Sequence, residues 1–216
     1  MNKPRAVLFD FDGTLADSAA DLCAALNVMR ARRGLPEIPP QEARRYSSSG
    51  ARGLLRVGFG LTPESPEYKP MREEFLAEYE RAICVHTCLF PGARELLDAL
   101  QQRDIPWGIA TNKAKRFTTP LIPALQLAPA CIACGDSTPH LKPHPAMLQL
   151  CATQLGMPSA EILYVGDDLR DVQAAQAAGM RSAAVEYGYH GTDNGGPHNW
   201  NADIVIREPL DLLEHL

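Results

Sequence analysis

No apolar run in the 216-residue chain approaches the ~20 residues that a membrane-spanning helix needs, which excludes a helical membrane protein. A basic surplus is missing as well. The formal net charge is -5, leaving no footprint for nucleic acid or an anionic membrane surface. A small anionic substrate must then be met by local cations or a metal ion. The N-terminal apolar run is short and is cut by Asp10 and Asp12, unlike a secretory signal, so the expected location is the cytoplasm. No second C-x-x-C accompanies Cys131-x-x-Cys134, and Cys23, Cys84, Cys88 and Cys151 are scattered. Reduced, mostly buried thiols fit this pattern better than zinc or redox chemistry. Internal repeats and low-complexity tracts are absent too.

What is present is ordinary for a globular protein: 45% hydrophobic and 22% charged residues, in a chain long enough for one core with a smaller inserted domain. Val7-Leu8-Phe9 reads as a buried parallel strand. From about residue 16 to 85 the pattern is wholly helical. Asp17-Ser18 is placed to cap a helix bearing Leu22, Ala25, Leu26 and Met29, and Pro39-Pro40 opens a second segment. Leu54, Leu55 and Val57 mark another helix, and Phe75, Leu76 and Tyr79 one more, with 58–70 as a loop between them. After Phe90-Pro91-Gly92 strands alternate with helices: strands at 107–110, 131–134, 162–165, 182–185 and 204–206, and a helix broken by Pro120 and Pro123. This alternation implies an α/β fold with a doubly wound parallel sheet, residues 1–15 and 88–216, and a helical cap inserted at 16–87.

Ligands of such sheets bind at the C-terminal ends of the strands. Four ends carry polar chemistry here: Asp10 and Asp12, Thr111 and Asn112, Lys142, and Asp167, Asp168 and Asp171. Asp10 and Asp12 lie two apart, so in a regular strand both face one side, where a cation such as Mg²⁺ would relieve their repulsion. Gly13 permits the sharp exit from the strand. The acids can hold Mg²⁺ while Lys142 and Thr111 hold an anion beside a carboxylate nucleophile.

Asp10-Phe11-Asp12-Gly13-Thr14, Thr111, Lys142 and Gly166-Asp167-Asp168-x-x-Asp171 resemble, in order, the four motifs of the haloacid dehalogenase superfamily, and the likeness covers nearly the whole chain. It implies a Mg²⁺-dependent hydrolase of a small phosphate monoester. Asp10 would be the nucleophile, and Asp12 the general acid and then base, its backbone carbonyl a metal ligand. Thr111, Asn112 and the turn at Gly13 would bind phosphoryl oxygens, and Lys142 would neutralise charge. Asp167 would bind the metal directly, with Asp168 and Asp171 behind it orienting water or Lys142. An acid at position 12 favours phosphatase over dehalogenase chemistry, and Lys69, the one lysine at 16–85, gives little support to a Schiff-base phosphonatase.

In the cap, Ser47-Ser48-Ser49-Gly50-Ala51-Arg52-Gly53 resembles the equivalent segment of phosphoglycolate phosphatases. Ser49, Gly50 and Arg52 are its candidate substrate contacts, Arg52 for a carboxylate, though helix capping with a solvated arginine explains the segment as well. The tail of the fourth motif, Tyr187-Gly188-Tyr189 and Asn199-Trp200-Asn201-Ala202-Asp203 is closer to the N-acetylmuramic acid 6-phosphate phosphatases of peptidoglycan recycling. The alternatives are a sugar-phosphate mutase or a non-catalytic ligand-binding relative. No nucleic-acid or membrane partner is expected, and the chain is expected to be a monomer or homodimer. His140, His144, His190 and His198 read as turn or solvated residues, His86 as a hinge residue packed between domains, and Trp200 as packing. Lys113 and Lys115 fit either charge near the phosphate or an exposed helix start.

Overall fold

A computed structural model describes residues 3–190 and 194–216. Six strands, β1 Ala6–Phe9, β4 Trp107–Ala110, β5 Cys131–Ala133, β6 Ile162–Gly166, β7 Arg181–Val185 and β8 Ile204–Ile206, pair in parallel in the order β5-β4-β1-β6-β7-β8. Apolar residues on both faces explain why these short runs form a central sheet. Val7, Phe9, Leu163 and Val165 pack on one side against Leu96, Leu97 and Leu100 of helix α5 Ala93–Gln102. Ala6, Leu8, Ile162 and Tyr164 pack on the other against helices α8 Ala146–Leu155 and α9 Leu169–Ala178. Strand β1 sits between β4 and β6, so the winding reverses there and opens a crevice at the strand C-termini.

Helices α1 Ala19–Ala31, α2 Pro40–Ser47, α3 Gly50–Phe59 and α4 Tyr68–Arg81 form the cap around a second apolar cluster that includes Leu26, Met29, Leu54, Leu55 and Phe75. The loop before α4 is therefore shorter than 58–70. Proline divides the helix after β4 as the sequence implies, into α6 Lys115–Thr118 and α7 Leu121–Ala124. The expectation of no strand at 16–85 fails at its first residues. β2 Ala16–Asp17 pairs antiparallel with β3 Cys88–Leu89, a small ribbon joining the two crossings between core and cap. Ser18 occupies the N-cap of α1 but its side chain does not cap; the hydroxyl donates to Asp12 instead, at 2.5 Å.

Two further contacts pin these crossings. Buried Asp21 accepts the backbone N–H groups of Val85, His86 and Thr87 and the Thr87 hydroxyl, so His86 is tied by its backbone while its side chain is exposed. The Tyr189 hydroxyl accepts from the N–H groups of Ser18 and Ala19 and donates to Asp17. The irregular segment 186–202 includes residues 191–193, which lie outside the described residues. In the rest of it Trp200 is buried against Val172 and Ala184, and His198 is exposed beside Glu186 at 2.7 Å. All six cysteines are free; Cys23, Cys131, Cys134 and Cys151 are buried, whereas Cys88 is exposed. Among the described residues no helix is long and apolar enough to cross a membrane.

Candidate active site

Strand β1 delivers Asp10 to the crevice, where its Oδ1 accepts the Phe11 N–H at 2.7 Å and the Lys142 ammonium at 2.9 Å. Asp12 lines the same cavity, but its carboxylate does not join that of Asp10. The chain has already left the strand and turns at 11–16, with the Ala16 N–H donating to the Phe11 carbonyl, so the two-residue periodicity no longer holds. Asp12 instead accepts from Ser18 and, through both oxygens at 3.1 Å, from Lys113.

Asp167 lies beneath the cavity floor, 1% exposed, accepting from the Thr14 hydroxyl at 3.3 Å and the Tyr189 N–H at 2.8 Å. Two glycines make room for it. A Cβ on Gly13, whose φ is +88°, would fall 2.2 Å from Asp167 Oδ2, and one on Gly188 would fall 2.2 Å from Asp167 Cβ. Gly13 thus packs against the acid beneath the floor and does not line the cavity, contrary to its expected phosphate contact. Carboxylate oxygens of Asp10, Asp167 and Asp171 all lie within 4.8 Å of one another. Burial, and then the charges of Asp10 and Asp171, push the Asp167 pKa well above the usual carboxylate range. Burial likewise pushes Asp171 up, to about 6, against the opposing pull of Lys142.

Lys142 is buried, and its ammonium lies within hydrogen-bond reach of Asp10, Asp171 (2.7 Å), the Ala110 carbonyl (3.1 Å) and the Tyr164 hydroxyl (2.7 Å). Burial opposes its charge, but the two carboxylates outweigh it and hold its pKa above the ordinary lysine value. Asn112 lines the cavity beside Thr111 and is also tied to the lysine loop. Its amide oxygen accepts the Lys142 N–H at 2.8 Å and its nitrogen donates to the Lys142 carbonyl at 3.2 Å, so it braces the lysine loop. Thr111 is buried at the cavity floor, its hydroxyl accepting the Lys113 N–H at 3.2 Å. Asp168 is turned away from the acid cluster. It caps α9 and accepts from Arg170 Nε at 2.8 Å and from Ser48 of the cap at 2.6 Å, while Arg170 also donates to the Ser48 carbonyl at 2.7 Å. Hydrogen bonding from Arg170 and its positive charge overcome burial and lower the Asp168 pKa.

The cavity between core and cap has a volume of about 560 Å³. Ser48 and the candidate contacts Ser49, Gly50 and Arg52 form part of its cap wall, together with Arg72 and Tyr79 of α4, which the sequence had not singled out for the site. Arg52 and Arg72 are exposed and make no ion pair among the described residues. Lys113, left open by the sequence, is drawn inward with its side chain 7% exposed, and Lys115 is exposed. Asp12 and Tyr79 outweigh burial to raise the Lys113 pKa, and burial pushes Tyr79 up to about 12. Lys69 is exposed on the first turn of α4, outside the cavity. His140 and His144 stack on each other at 4.3 Å on the exposed rim.

Residues 7–185 match the model of the haloacid dehalogenase-like hydrolase family. The chain belongs to that family. An N-acetylmuramic acid 6-phosphate phosphatase of Pseudomonas putida is 44% identical, covering 96% of this chain and 94% of that one. A phosphoglycolate phosphatase of Xanthomonas campestris is 39% identical over 99% and 97% of the two chains. Among solved structures, a protein from Haemophilus somnus described as a predicted phosphoglycolate phosphatase superposes with a TM-score of 0.85 at 26% identity, covering 99% of this chain and 98% of its own. Within the haloacid dehalogenase-like family this chain is a phosphatase, a hydrolase of phosphoric monoesters.

The donor set fits a divalent cation. Three carboxylates face one ammonium, an excess of two negative charges among hard oxygen donors.

Proposed function

We propose that this phosphatase is Mg²⁺-dependent and hydrolyses N-acetylmuramic acid 6-phosphate through a phosphorylated Asp10. The observation that carries the choice of substrate is the cavity. Its volume of about 560 Å³ falls in the range of about 300–1,000 Å³ typical of small-molecule pockets, and its cap wall offers serines and two arginines that make no ion pair among the described residues. A two-carbon acid leaves most of that space empty. A muramic acid derivative brings hydroxyls, an amide and a carboxylate to fill it, and Arg52 and Arg72 suit the carboxylate.

Asp10, Asp167 and Asp171 would hold the ion, with the Asp12 backbone carbonyl as a further ligand by family resemblance; when bound it offsets charge on the transferring phosphoryl group. Phe11 and Lys142 both bind Asp10 Oδ1, leaving Oδ2 to attack phosphorus. As the Asp10–phosphorus bond forms, the ester oxygen departs and takes a proton from the Asp12 carboxyl. In the second half, Asp12 takes a proton from the water that attacks the aspartyl-phosphate, which frees Asp10 and inorganic phosphate. Thr111 at the floor and Lys142 bind the phosphoryl oxygens, and Asn112 keeps Lys142 in place.

Likeness to the Xanthomonas protein favours 2-phosphoglycolate as the second reading. Phosphate release from both compounds with Mg²⁺ tests the choice. A kcat/KM at least tenfold higher for the amino-sugar phosphate supports the first reading, and the reverse preference establishes the second. An isomerised phosphate ester in place of free phosphate would convict the enzyme as a mutase.

A further inference from the structure

We propose that Lys113 and Tyr79 are positioning residues for Asp12, tying the group that moves the leaving-group proton to the position of the cap. The inference rests on the roles given to Asp10 and Asp12 above. An ammonium has three N–H bonds to direct. Those of Lys113 meet both oxygens of Asp12 at 3.1 Å and the Tyr79 hydroxyl at 2.8 Å. Ser18 supplies one further anchor to the carboxylate at 2.5 Å. Without Lys113 the acid would hang from that single hydroxyl, free to turn about its side-chain bonds.

The two partners come from opposite sides of the cleft. Lys113 follows β4 of the core, whereas Tyr79 lies near the end of α4, just before the chain crosses back through 82–89. The Tyr79 ring is buried in the cap cluster and packs across the cleft on Phe117 of α6, with centroids 5.6 Å apart, so ring and hydroxyl both meet the core. Its contact with Lys113 therefore depends on where the cap sits over the core. Lys115, two residues further on, makes no such contact, so the arrangement belongs to position 113 and not to a generally basic loop.

Charge supports the same assignment. Lys142 and a divalent cation balance Asp10, Asp167 and Asp171, and Lys113 balances Asp12. The lysine donates no proton in the reaction, and its N–H groups bind the Asp12 oxygens whether or not the carboxyl holds one. An alkyl ester oxygen needs that proton as its bond to phosphorus breaks. A p-nitrophenolate leaving group does not.

The test is rapid-quench measurement of Asp10 phosphorylation in wild type, Lys113→Met and Tyr79→Phe. Each is given N-acetylmuramic acid 6-phosphate or 2-phosphoglycolate, whichever the wild type turns over, and p-nitrophenyl phosphate. Lys113→Met should slow phosphorylation by the alkyl ester about 100-fold while changing the p-nitrophenolate burst by less than about threefold. Tyr79→Phe keeps the ring and the cap packing, and should show the same selectivity at about fivefold. Equal losses on alkyl and aryl esters in Tyr79→Phe would overturn the proposal, as would no loss in a folded Lys113→Met. A wild type that forms no phospho-enzyme with either ester class would instead bring down the mechanism beneath it.

Discussion

Lys142 and Arg52 are cations lining the same cavity, and they are held in opposite ways. Lys142 is buried among four oxygen atoms, two of them from carboxylates. Arg52 is exposed, and although its charge is felt by Glu64, it forms no ion pair among the described residues. The same contrast separates the charged groups of the core floor from the other arginine of the cap wall. On the floor Asp12, Asp168, Asp171 and Arg170 all have charged partners, whereas Arg72 on the wall has no ion pair among the described residues. A floor wired in advance needs little reorganisation as charge moves, which is how electrostatic stabilisation of a transition state is achieved. An unpaired guanidinium keeps its donors for whatever the substrate brings. Chemistry is thus fixed in the core and recognition left open in the cap.

The sharpest way to break this comparison is at the nucleophile. Asp10→Asn preserves the shape of the side chain and its contact with Phe11, so the melting temperature should stay close to wild type. Turnover of every ester should fall on the order of 10⁴-fold or more. Activity near wild type would dismiss the aspartyl-phosphate route and, with it, the reading of the floor as chemical machinery.

A smaller effect tests the floor as a cation site. Asp167 and Asp171 have folded-state pKa values above those of an unfolded chain, Asp171 at about 6. Raised values mean that the stability these groups contribute is complete below the ordinary carboxylate range and is lost as pH rises through about 6. Bound Mg²⁺ would remove that loss, and protons compete with it. Saturating Mg²⁺ should therefore raise the melting temperature by roughly 5–10 °C near pH 7.5 and by much less near pH 5. An increment equal at both pH values would exclude these two acids from the cation site.

The contrast between floor and wall also marks what could be read from sequence. The parallel strands, the break at Pro120 and the order of Asp10, Thr111, Lys142 and Asp167 were legible, because each is a local pattern of periodicity or turn chemistry. Less legible was where each side chain points. Asn112 braces Lys142 across 30 positions, Lys113 meets Asp12 across 101, and Ser48 meets Asp168 across 120. Such contacts leave no periodic trace in the chain. The ribbon of Ala16–Asp17 with Cys88–Leu89 escaped for a related reason, since two-residue strands are too short to alternate. Tyr189 was singled out only by resemblance, yet it touches both the first crossing, through its hydroxyl, and Asp167, through its N–H.

The mildest perturbation is also the one that separates floor from wall most directly. If Arg52 and Arg72 serve recognition alone, replacing either with alanine leaves the floor wiring intact, because neither bonds to any group of it. Each lost charge-assisted contact to a substrate carboxylate is worth about 1.5–3 kcal/mol, or roughly 10- to 100-fold in KM, with kcat close to wild type. p-Nitrophenyl phosphate has no carboxylate, so its KM should move less than about twofold in Arg52→Ala and Arg72→Ala. A fall in kcat shared by both substrates would mean that these arginines act on closure or chemistry, and the division between a wired floor and an open wall would not hold. A rise in KM confined to Arg52→Ala would keep the division and narrow the carboxylate contact to the first turn of α3.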